Sequence, residues 1–551
     1  MIYFQACSKF RNLKKHLGLI VLFFIFYSCS QQIEKQNVNI FRYNESKGIS
    51  TLDPAFAKNQ VLIWPANQLY NGLVQMDSEL QVRPCIAKTW NVYDGGKVYE
   101  FILRDDVFFH DNKAFVNRKG RKVTAFDFEY SLNRIIDPST TSPGVWIFNN
   151  VKEGGIQAIN DTILQIELKN PFPAFLGLLT MKYCSVIPKE AIDYYGINFR
   201  KNPVGTGPFK YKFWKEGEKL IFVKNQNYFE KDSSGNTLPY LDAIAITFIN
   251  DKQSEFLEFL KGRLDFISGL NPANKDELIT KNGNLSPKYF EKIEMINQPY
   301  LNTEYLGFLI DTLKVNDKNS AILNKKVRQA INYGFDRKKM MKYLRNNVGF
   351  PANYGFIPKG LPSFSEINPI YTYNPDKTIK LLQEAGFPKG EGLKPITLTT
   401  TSDYLDLCEY IQQQLSEFGI KIEIDINTGA TFRDMVANSK LEFFRGSWIA
   451  DYPDAENYLA LFYSKNKSPN GPNYTHYHSE EYDNLYEKAM FEINDSLRYT
   501  LYNKMNLLIM DNACIVPLYY DEVVRFVSKN IKGFESNPMN LLNLKKVKKI
   551  K

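Results

Sequence analysis

In the stretch FRGSWIADYPDAENYL, residues 444–459, two carboxylates, Asp451 and Asp454, follow directly on an apolar segment that ends in a tryptophan and an isoleucine. Carboxylates at such close spacing can divide acid and base roles between them. One of them can instead hold a fixed negative charge out to a cation, or both can simply open the turn at Pro453, since Asp and Pro favour turns on their own. The rest of the chain argues against the first option. It has no GxSxG elbow, no HExxH, no GxxxxGK[ST] and no GxGxxG following a strand. Of the four histidines, His476 and His478 lie close enough to chelate a metal, but they sit among Tyr474 and Tyr477 and read as a surface pair in a loop. No CxxC spacing occurs among the six cysteines, so neither a metal site nor a disulfide framework is expected, one long-range disulfide being left open. The sequence calls for no cofactor and no catalysis.

The elements that must position Asp451 are legible upstream. Asn374 is placed to cap a helix that starts on Pro375, carries Ile379 and Leu382 on one face and stops before Gly386. ITLTTT then alternates as a strand. DYLDLCEYIQQQLSEFG puts Leu407, Ile411, Leu415 and Phe418 on one helical face, and IKIEIDI alternates again. Strand, helix and strand in succession form a right-handed crossover in a parallel sheet. A short helix from about Thr431 leads into the strand LEFFRGSW. Ligands of open α/β sheets bind beyond the carboxyl ends of the strands, so Asp451 is expected in such a crevice, where an unpaired carboxylate is costly unless a cation or hydrogen-bond donor meets it. Further on, Asp495 is placed to cap a helix bearing Leu497, Leu501, Met505 and Leu508 as a core-facing stripe. PVGTGPF, 203–209, has glycines too close together for a phosphate loop and reads as a turn entering a strand.

At 551 residues and 44% hydrophobic content the chain exceeds what one core supports, so two or three domains are expected. Aromatics reach 14%, with 40 Phe and 34 Tyr, a surplus that suits cores and wet clefts alike. The amino end carries Lys9, Arg11, Lys14 and Lys15, then eleven apolar residues from Leu17 to Tyr27, then Ser28-Cys29-Ser30. That is the order of a secretory signal, too short to span a membrane as a helix. FYSC also resembles a lipobox, which implies a signal peptide over 1–28 and a lipid on Cys29, with ordinary secretion as the alternative. The formal charge of +9 is concentrated in this leader and in the tail KKVKKIK, read as a solvated end, so the body is near neutral and carries no nucleic-acid footprint.

A dozen blocks in order resemble the extracytoplasmic solute-binding proteins of family 5, the oligopeptide- and dipeptide-binding components of ABC importers. They include LDPAFA at 52, LYNGLV at 69, YEFILRDDVFFHD at 99, VTAFDFEYSLNRIIDP at 123, NPVGTGPFKY at 202, VRQAINYGFDR at 327, YNPDKTIKLLQEAGF at 373, WIADYPDAENYL at 448 and IVPLYY at 515. The resemblance implies an α/β, two-lobed type II periplasmic-binding-protein fold with an extra subdomain. Lobe I would comprise 38–70, 189–300 and 521–551, the subdomain 71–188, and lobe II 301–520. It implies a monomer, lipid-anchored at Cys29 on the periplasmic side of a bacterial membrane, that captures peptides between its lobes for an ABC permease. By the same resemblance Asp451 pairs with the peptide α-amino group, and Arg445, Ser447, Trp448 and Ile449 line the ligand, with Trp146 and Gln60 on the facing wall. Arg445 has a competing role, neutralising Asp451. The chain departs from peptide-binding relatives in having Gly144 where they offer a tyrosine, with Trp146 two residues on, Lys58 where they have a glutamate, and the insertion KAFVNRKGRK. A nickel-complex or oligosaccharide receptor on the same fold is the alternative, with an exported hydrolase or an adhesion module behind it.

Overall fold

The computed structural model describes residues 39–269, 272–315, 317–318 and 320–550; the leader and Cys29 lie outside them. Among the described residues an eleven-stranded sheet runs through the molecule. From one edge its order is Ile422–Ile426, Ile396–Thr400, Phe443–Ile449, Ile293–Phe308, Ile515–Ser528, Phe266–Ser268, Ile40–Asn44, Ala243–Thr247, Lys219–Lys224 and Phe209–Lys215, with Phe350–Pro351 pairing on Ile515–Ser528. The long strands Ile293–Phe308 and Ile515–Ser528 are antiparallel and tie the two halves together. Their ladder breaks register between Pro299 and Thr303, where Pro299 faces Glu522 and Thr303 faces Tyr520. Such an irregularity bends a strand pair locally, and it divides the sheet into two halves with separate cores.

The second half contains the crossover expected from sequence. Ile396–Thr400 and Ile422–Ile426 are parallel and in register from Ile396 opposite Ile422, with the helix Leu405–Ser416 between them burying Leu407, Ile411 and Leu415. The preceding helix Pro375–Glu384 starts on Pro375, and the Asn374 side chain accepts from the Lys377 N–H at 3.0 Å. Phe443–Ile449 joins this unit by a parallel contact, Thr399 opposite Phe444, and pairs antiparallel with Ile293–Phe308 on its other side.

The first half carries a separate antiparallel sheet, Ala87–Tyr93, Val98–Leu103, Ile163–Leu168 and Val151–Asn160. The helix Ala125–Ile136 packs against it and is closed at its start by a capping box between Thr124 and Asp127. The turn PVGTGPF does lead into a strand, Phe209–Lys215. Its glycines are required by close approach: a Cβ on Gly205 would lie 2.1 Å from the carbonyl oxygen of Leu69. This contact holds the C-terminal end of the helix Gln60–Leu69, whose other end reaches the site described below.

Four expectations need correction. The helix Asp495–Asn512 is capped by Asn494, which accepts from Leu497 N–H, and Leu497 is exposed; the buried stripe is Leu501, Tyr502, Met505, Ile509 and Met510. His476 is buried and not a surface residue, held by Asp311 at 2.9 Å and by the hydroxyls of Ser439 and Ser468. The lysine tail is not a solvated end, because Lys545 is buried in an ion pair with Glu230 and Lys549 bonds Asp265 at 2.5 Å. Cys85, Cys184, Cys408 and Cys514 are free and buried, so the disulfide left open does not form.

Candidate ligand-binding site

A cavity of about 360 Å³ opens between the two halves. Lys58 to Gln60 at the start of the helix Gln60–Leu69 form one wall, and Trp146 with Thr180 to Tyr183 form a second. Ile449 to Asp451, at the carboxyl end of the strand Phe443–Ile449, close it from the other half. The volume is that of a small-ligand site, a class that runs from roughly 300 to 1,000 Å³.

Asp451 stands where strand chemistry predicts, two residues past the strand. Its backbone N–H donates to Asn457 Oδ1 at 3.2 Å, the same oxygen that accepts from the Trp448 indole N–H at 2.9 Å. Asn457 Nδ2 approaches Asp451 Oδ2 at 3.4 Å. Asn457 thus fixes the turn, and through it the direction of the carboxylate. No described lysine, arginine or histidine forms an ion pair with Asp451. The carboxylate keeps contact with solvent through the cleft, yet protein surrounds it closely enough that desolvation raises its pKa, the Asn457 hydrogen bond opposing only in part. Asp454 behaves differently: Tyr502 donates to it at 2.7 Å and Arg498 Nη2 lies 3.4 Å away, so its charge is used inside the protein.

The other expected residues separate into two groups. Gln60, Trp146 and Ile449 line the cavity with Asp451. Gln60 Oε1 accepts from Asn540 Nδ2 at 3.0 Å, and the Trp146 ring lies 6.3 Å from that of Tyr452, centroid to centroid. Arg445, Ser447 and Trp448 do not line it. Arg445 Nη1 lies 3.4 Å from buried Glu304 and its guanidinium sits 3.5 Å from the centre of the Tyr404 ring, so it neutralises Glu304 and not Asp451. Ser447 Oγ donates to Asn302 Oδ1 at 3.0 Å, and the Trp448 indole is spent on Asn457.

Among the lining residues that escaped sequence reasoning, two carry polar groups beside Trp146 on the wall facing Asp451. Tyr183 stacks over Gly144, where a Cβ would come within 2.6 Å of its Cδ1. The glycine that replaces an expected tyrosine is therefore what lets another tyrosine reach the cleft. Burial, with Asp451 nearby, pushes the Tyr183 hydroxyl up to about 12. Lys182 is the second, and burial pushes its ammonium down to about 8. Nothing in the spacing of MKYCS marks either residue; only the fold brings them opposite Asp451.

A cleft between the two halves of an α/β molecule, lined by a carboxylate that meets no cationic partner among the described residues, suits the capture of a ligand. The description "Bacterial extracellular solute-binding proteins, family 5 Middle" matches residues 81–470, and the chain belongs to that family. It is the substrate-binding component of an ABC importer and not an enzyme. Among curated proteins it is similar to the glutathione-binding protein GsiB of Escherichia coli K12, 26% identical over 491 residues that cover 88% of this chain and 90% of the relative. Among solved structures it is similar to the ABC transporter-associated periplasmic binding protein DppA of Helicobacter pylori in complex with the peptide STSA, with TM-score 0.73, 25% identity, and 93% and 98% of the two chains covered. HbpA2 of Haemophilus parasuis superposes with TM-score 0.80 at 22% identity, over 93% of this chain and all of the other.

Proposed function

We propose that the protein captures short peptides with a free amino end between its two lobes and hands them to an ABC permease, acting as a monomer held to the membrane by a lipid on Cys29. The observation that carries this reading is the Asp451 carboxylate, which faces the cavity without a cationic partner among the described residues. A charge-assisted hydrogen bond to a peptide ammonium would repay its desolvation and fix the ligand's direction. Main-chain recognition has a place as well. Past its pairing with Ile396–Thr400 at Phe444, the strand Phe443–Ile449 ends on Ile449 and Ala450, which line the cavity and can meet the ligand's main chain there. The peptide STSA on DppA and the name of GsiB support a peptide or peptide-like ligand. In this reading lobe I comprises 38–70, 189–300 and 521–551, the subdomain 71–188 and lobe II 301–520, with closure about the irregularity at Pro299 to Thr303. A pool of di- to tetrapeptides should raise the melting temperature of the purified protein, and the same pool N-acetylated should not, because ligand stabilises only the folded state it binds. Equal shifts from both pools, or from neither, would remove amino-end capture by Asp451. Mass spectrometry of the N-terminal peptide should find Cys29 diacylated or triacylated.

A further inference from the structure

The insertion KAFVNRKGRK, residues 113–122, forms a loop on the first half that takes no part in the ligand cavity. Between Asp111 and Lys122 the chain sets five basic residues, Lys113, Arg118, Lys119, Arg121 and Lys122, against one acid. The loop is pinned at its base. Phe115 is buried and stacks on Phe109 with ring centroids 6.0 Å apart, Arg121 bonds Asp127 and Glu190 at 2.6 Å each, and Asp111 accepts from the Gly120 N–H at 3.0 Å. Its tip is turned out: Val116 is 86% exposed, and Asn117 and Arg118 follow it in the left-handed region at φ 56° and 57°. Lys113, Arg118 and Lys122 form no ion pair with a described residue. The Tyr195 hydroxyl donates to Asn112 at 2.9 Å and so brings a second bare apolar tip, Ile197 at 85% exposure, to the same end of the molecule. Single exposed apolar residues are common; two held out on tight turns beside unpaired cations form the pattern of a surface that dips into a charged interface.

The chain enters the described fold close to this loop. Ile40 lies opposite Ala243, Ala243 opposite Val223 and Val223 opposite Lys210, so Ile40 is about 14 Å from Lys210 at the usual spacing between strands. Lys210 in turn is near enough to Asp111 to join the Gly120 N–H and Lys119 in lowering its pKa. Resting on the lipid proposed for Cys29, eleven residues before Ile40, we infer that this loop is a membrane-docking surface: Val116 and Ile197 enter the headgroup layer of the bilayer that holds the lipid, and Lys113, Arg118 and Lys122 meet its anionic lipids. Eleven residues reach at most about 40 Å. The tether therefore keeps the loop within range of the surface, and the loop in turn fixes how the molecule stands on it. The base of the loop lies at the end of the helix Gln60–Leu69 remote from the cavity, where the His110 N–H donates to the Gly205 carbonyl oxygen at 2.8 Å. Docking through it leaves the ligand cavity uncovered.

The mature lipoprotein carrying Val116→Cys, labelled with a polarity-sensitive dye, tests the inference on vesicles of phosphatidylcholine alone and of phosphatidylcholine with phosphatidylglycerol. Cys85, Cys184, Cys408 and Cys514 are buried, so the dye reports position 116. The protein should float with both kinds of vesicle through its lipid, and the dye emission should shift to the blue only where phosphatidylglycerol is present. The shift should vanish in about 1 M salt, where the screening length falls to roughly 3 Å. It should vanish too when Lys113→Glu and Arg118→Glu are added, exposed changes that leave flotation and peptide affinity at the values of the labelled parent. Lys113→Gln alone should lower the ratio of docked to undocked protein roughly fivefold, the contribution of one cation at an anionic surface. Flotation with both vesicles and a dye that stays in water overturns the docking surface and leaves the lipid on Cys29 standing. An equal blue shift with and without phosphatidylglycerol overturns recognition of anionic lipid. Flotation with phosphatidylglycerol vesicles alone refutes the lipid and keeps the loop, and flotation with neither refutes both.

Discussion

Tyr452 of the second half lies with its ring centroid 6.3 Å from that of Trp146 in the first, and 6.4 Å from Phe172 in an edge-on arrangement. Tyr452 is buried in the core of the opposite half, one residue past the candidate ligand carboxylate. In the closure proposed above, this contact would tie the approach of the lobes to the position of Asp451. Trp146→Ala removes a wall of the cavity and one side of this aromatic contact, which is worth about 0.5–1.5 kcal/mol beyond area burial. Peptide affinity should fall up to about tenfold by calorimetry, and Trp146→Phe should retain most of it. Unchanged affinity in Trp146→Ala would show that the contact is not part of the bound state.

Gly144 and Tyr183 are expected to be energetically coupled. A methyl at residue 144 would overlap the tyrosine ring at 2.6 Å, and overpacking of this kind costs about 1–3 kcal/mol. Gly144→Ala should lower the melting temperature and weaken peptide binding as Tyr183 is displaced. Combining it with Tyr183→Leu should recover most of the stability but not the binding. The double-mutant cycle measures the coupling directly; additive effects would mean that the ring moves aside freely.

Asp451 gives a pH signature of opposite sign for stability and for binding. Its folded pKa lies above the ordinary carboxylate value of 3.8, so the folded state holds a proton that the unfolded state has already released. Stability in the absence of ligand therefore falls as pH rises from that ordinary value through the raised one. Asp451→Asn should melt higher than wild type at neutral pH, with the difference disappearing below the window. Peptide affinity should move the other way, weakening as acid neutralises the carboxylate, and in Asp451→Asn it should be flat with pH and lower by roughly tenfold or more. A mutant that binds peptides as well as wild type refutes the assignment.

His110 supplies an independent acid transition. Its ring is buried, Nε2 lies 2.9 Å from the Gly207 carbonyl oxygen and so must carry the proton, and Nδ1 has no partner. Burial lowers its pKa from 6.5 to about 4. The depressed value means that the unfolded chain takes up a proton first, so stability is whole above about 6.5 and declines as pH falls towards 4. The loss approaches roughly 3 kcal/mol. His110→Gln, whose amide can still donate to Gly207, should flatten that slope in thermal melts between pH 4 and 7.

Sequence pattern reached as far as local periodicity and capping reach. The unit from Asn374 to Ile426 was legible because its helices carry their own start and stop signals and its strands alternate, and Asp451 followed from its place after a strand. What pattern could not show were partners distant in the chain. Arg445 reads as a neighbour of Asp451 in sequence, yet its charge goes to Glu304, 141 residues away, because residues 443–449 pair with 302–308. Lys545 looks like part of a free basic tail until Glu230 is brought to it, 315 residues earlier. Lys182 and Tyr183 lie in a 3-10 helix of three residues, Lys182–Cys184, too short to show a period, so only the assembled cleft reveals them. The stripe on Asp495–Asn512 starts on a different face from the one the sequence suggests, because Arg498 turns inward to Asp454 and leaves Leu497 facing solvent.

The Arg445–Glu304 pair separates a structural role from a ligand role. Glu304 is buried, the Arg445 side chain is 11% exposed with its guanidinium clamped on Tyr404, and desolvation already holds the Glu304 pKa up in spite of the arginine. Arg445→Met would leave an uncompensated carboxylate inside the protein, a change that costs about 3–5 kcal/mol. The melting temperature should drop steeply, and more at neutral than at acid pH, since a protonated Glu304 no longer needs its partner. Adding Glu304→Gln should restore much of the loss, because it removes the stranded charge. Peptide affinity, measured by calorimetry at a temperature where Arg445→Met remains folded, should stay at the wild-type value. A variant that keeps its melting temperature but loses the peptide would instead return Arg445 to the ligand-binding surface.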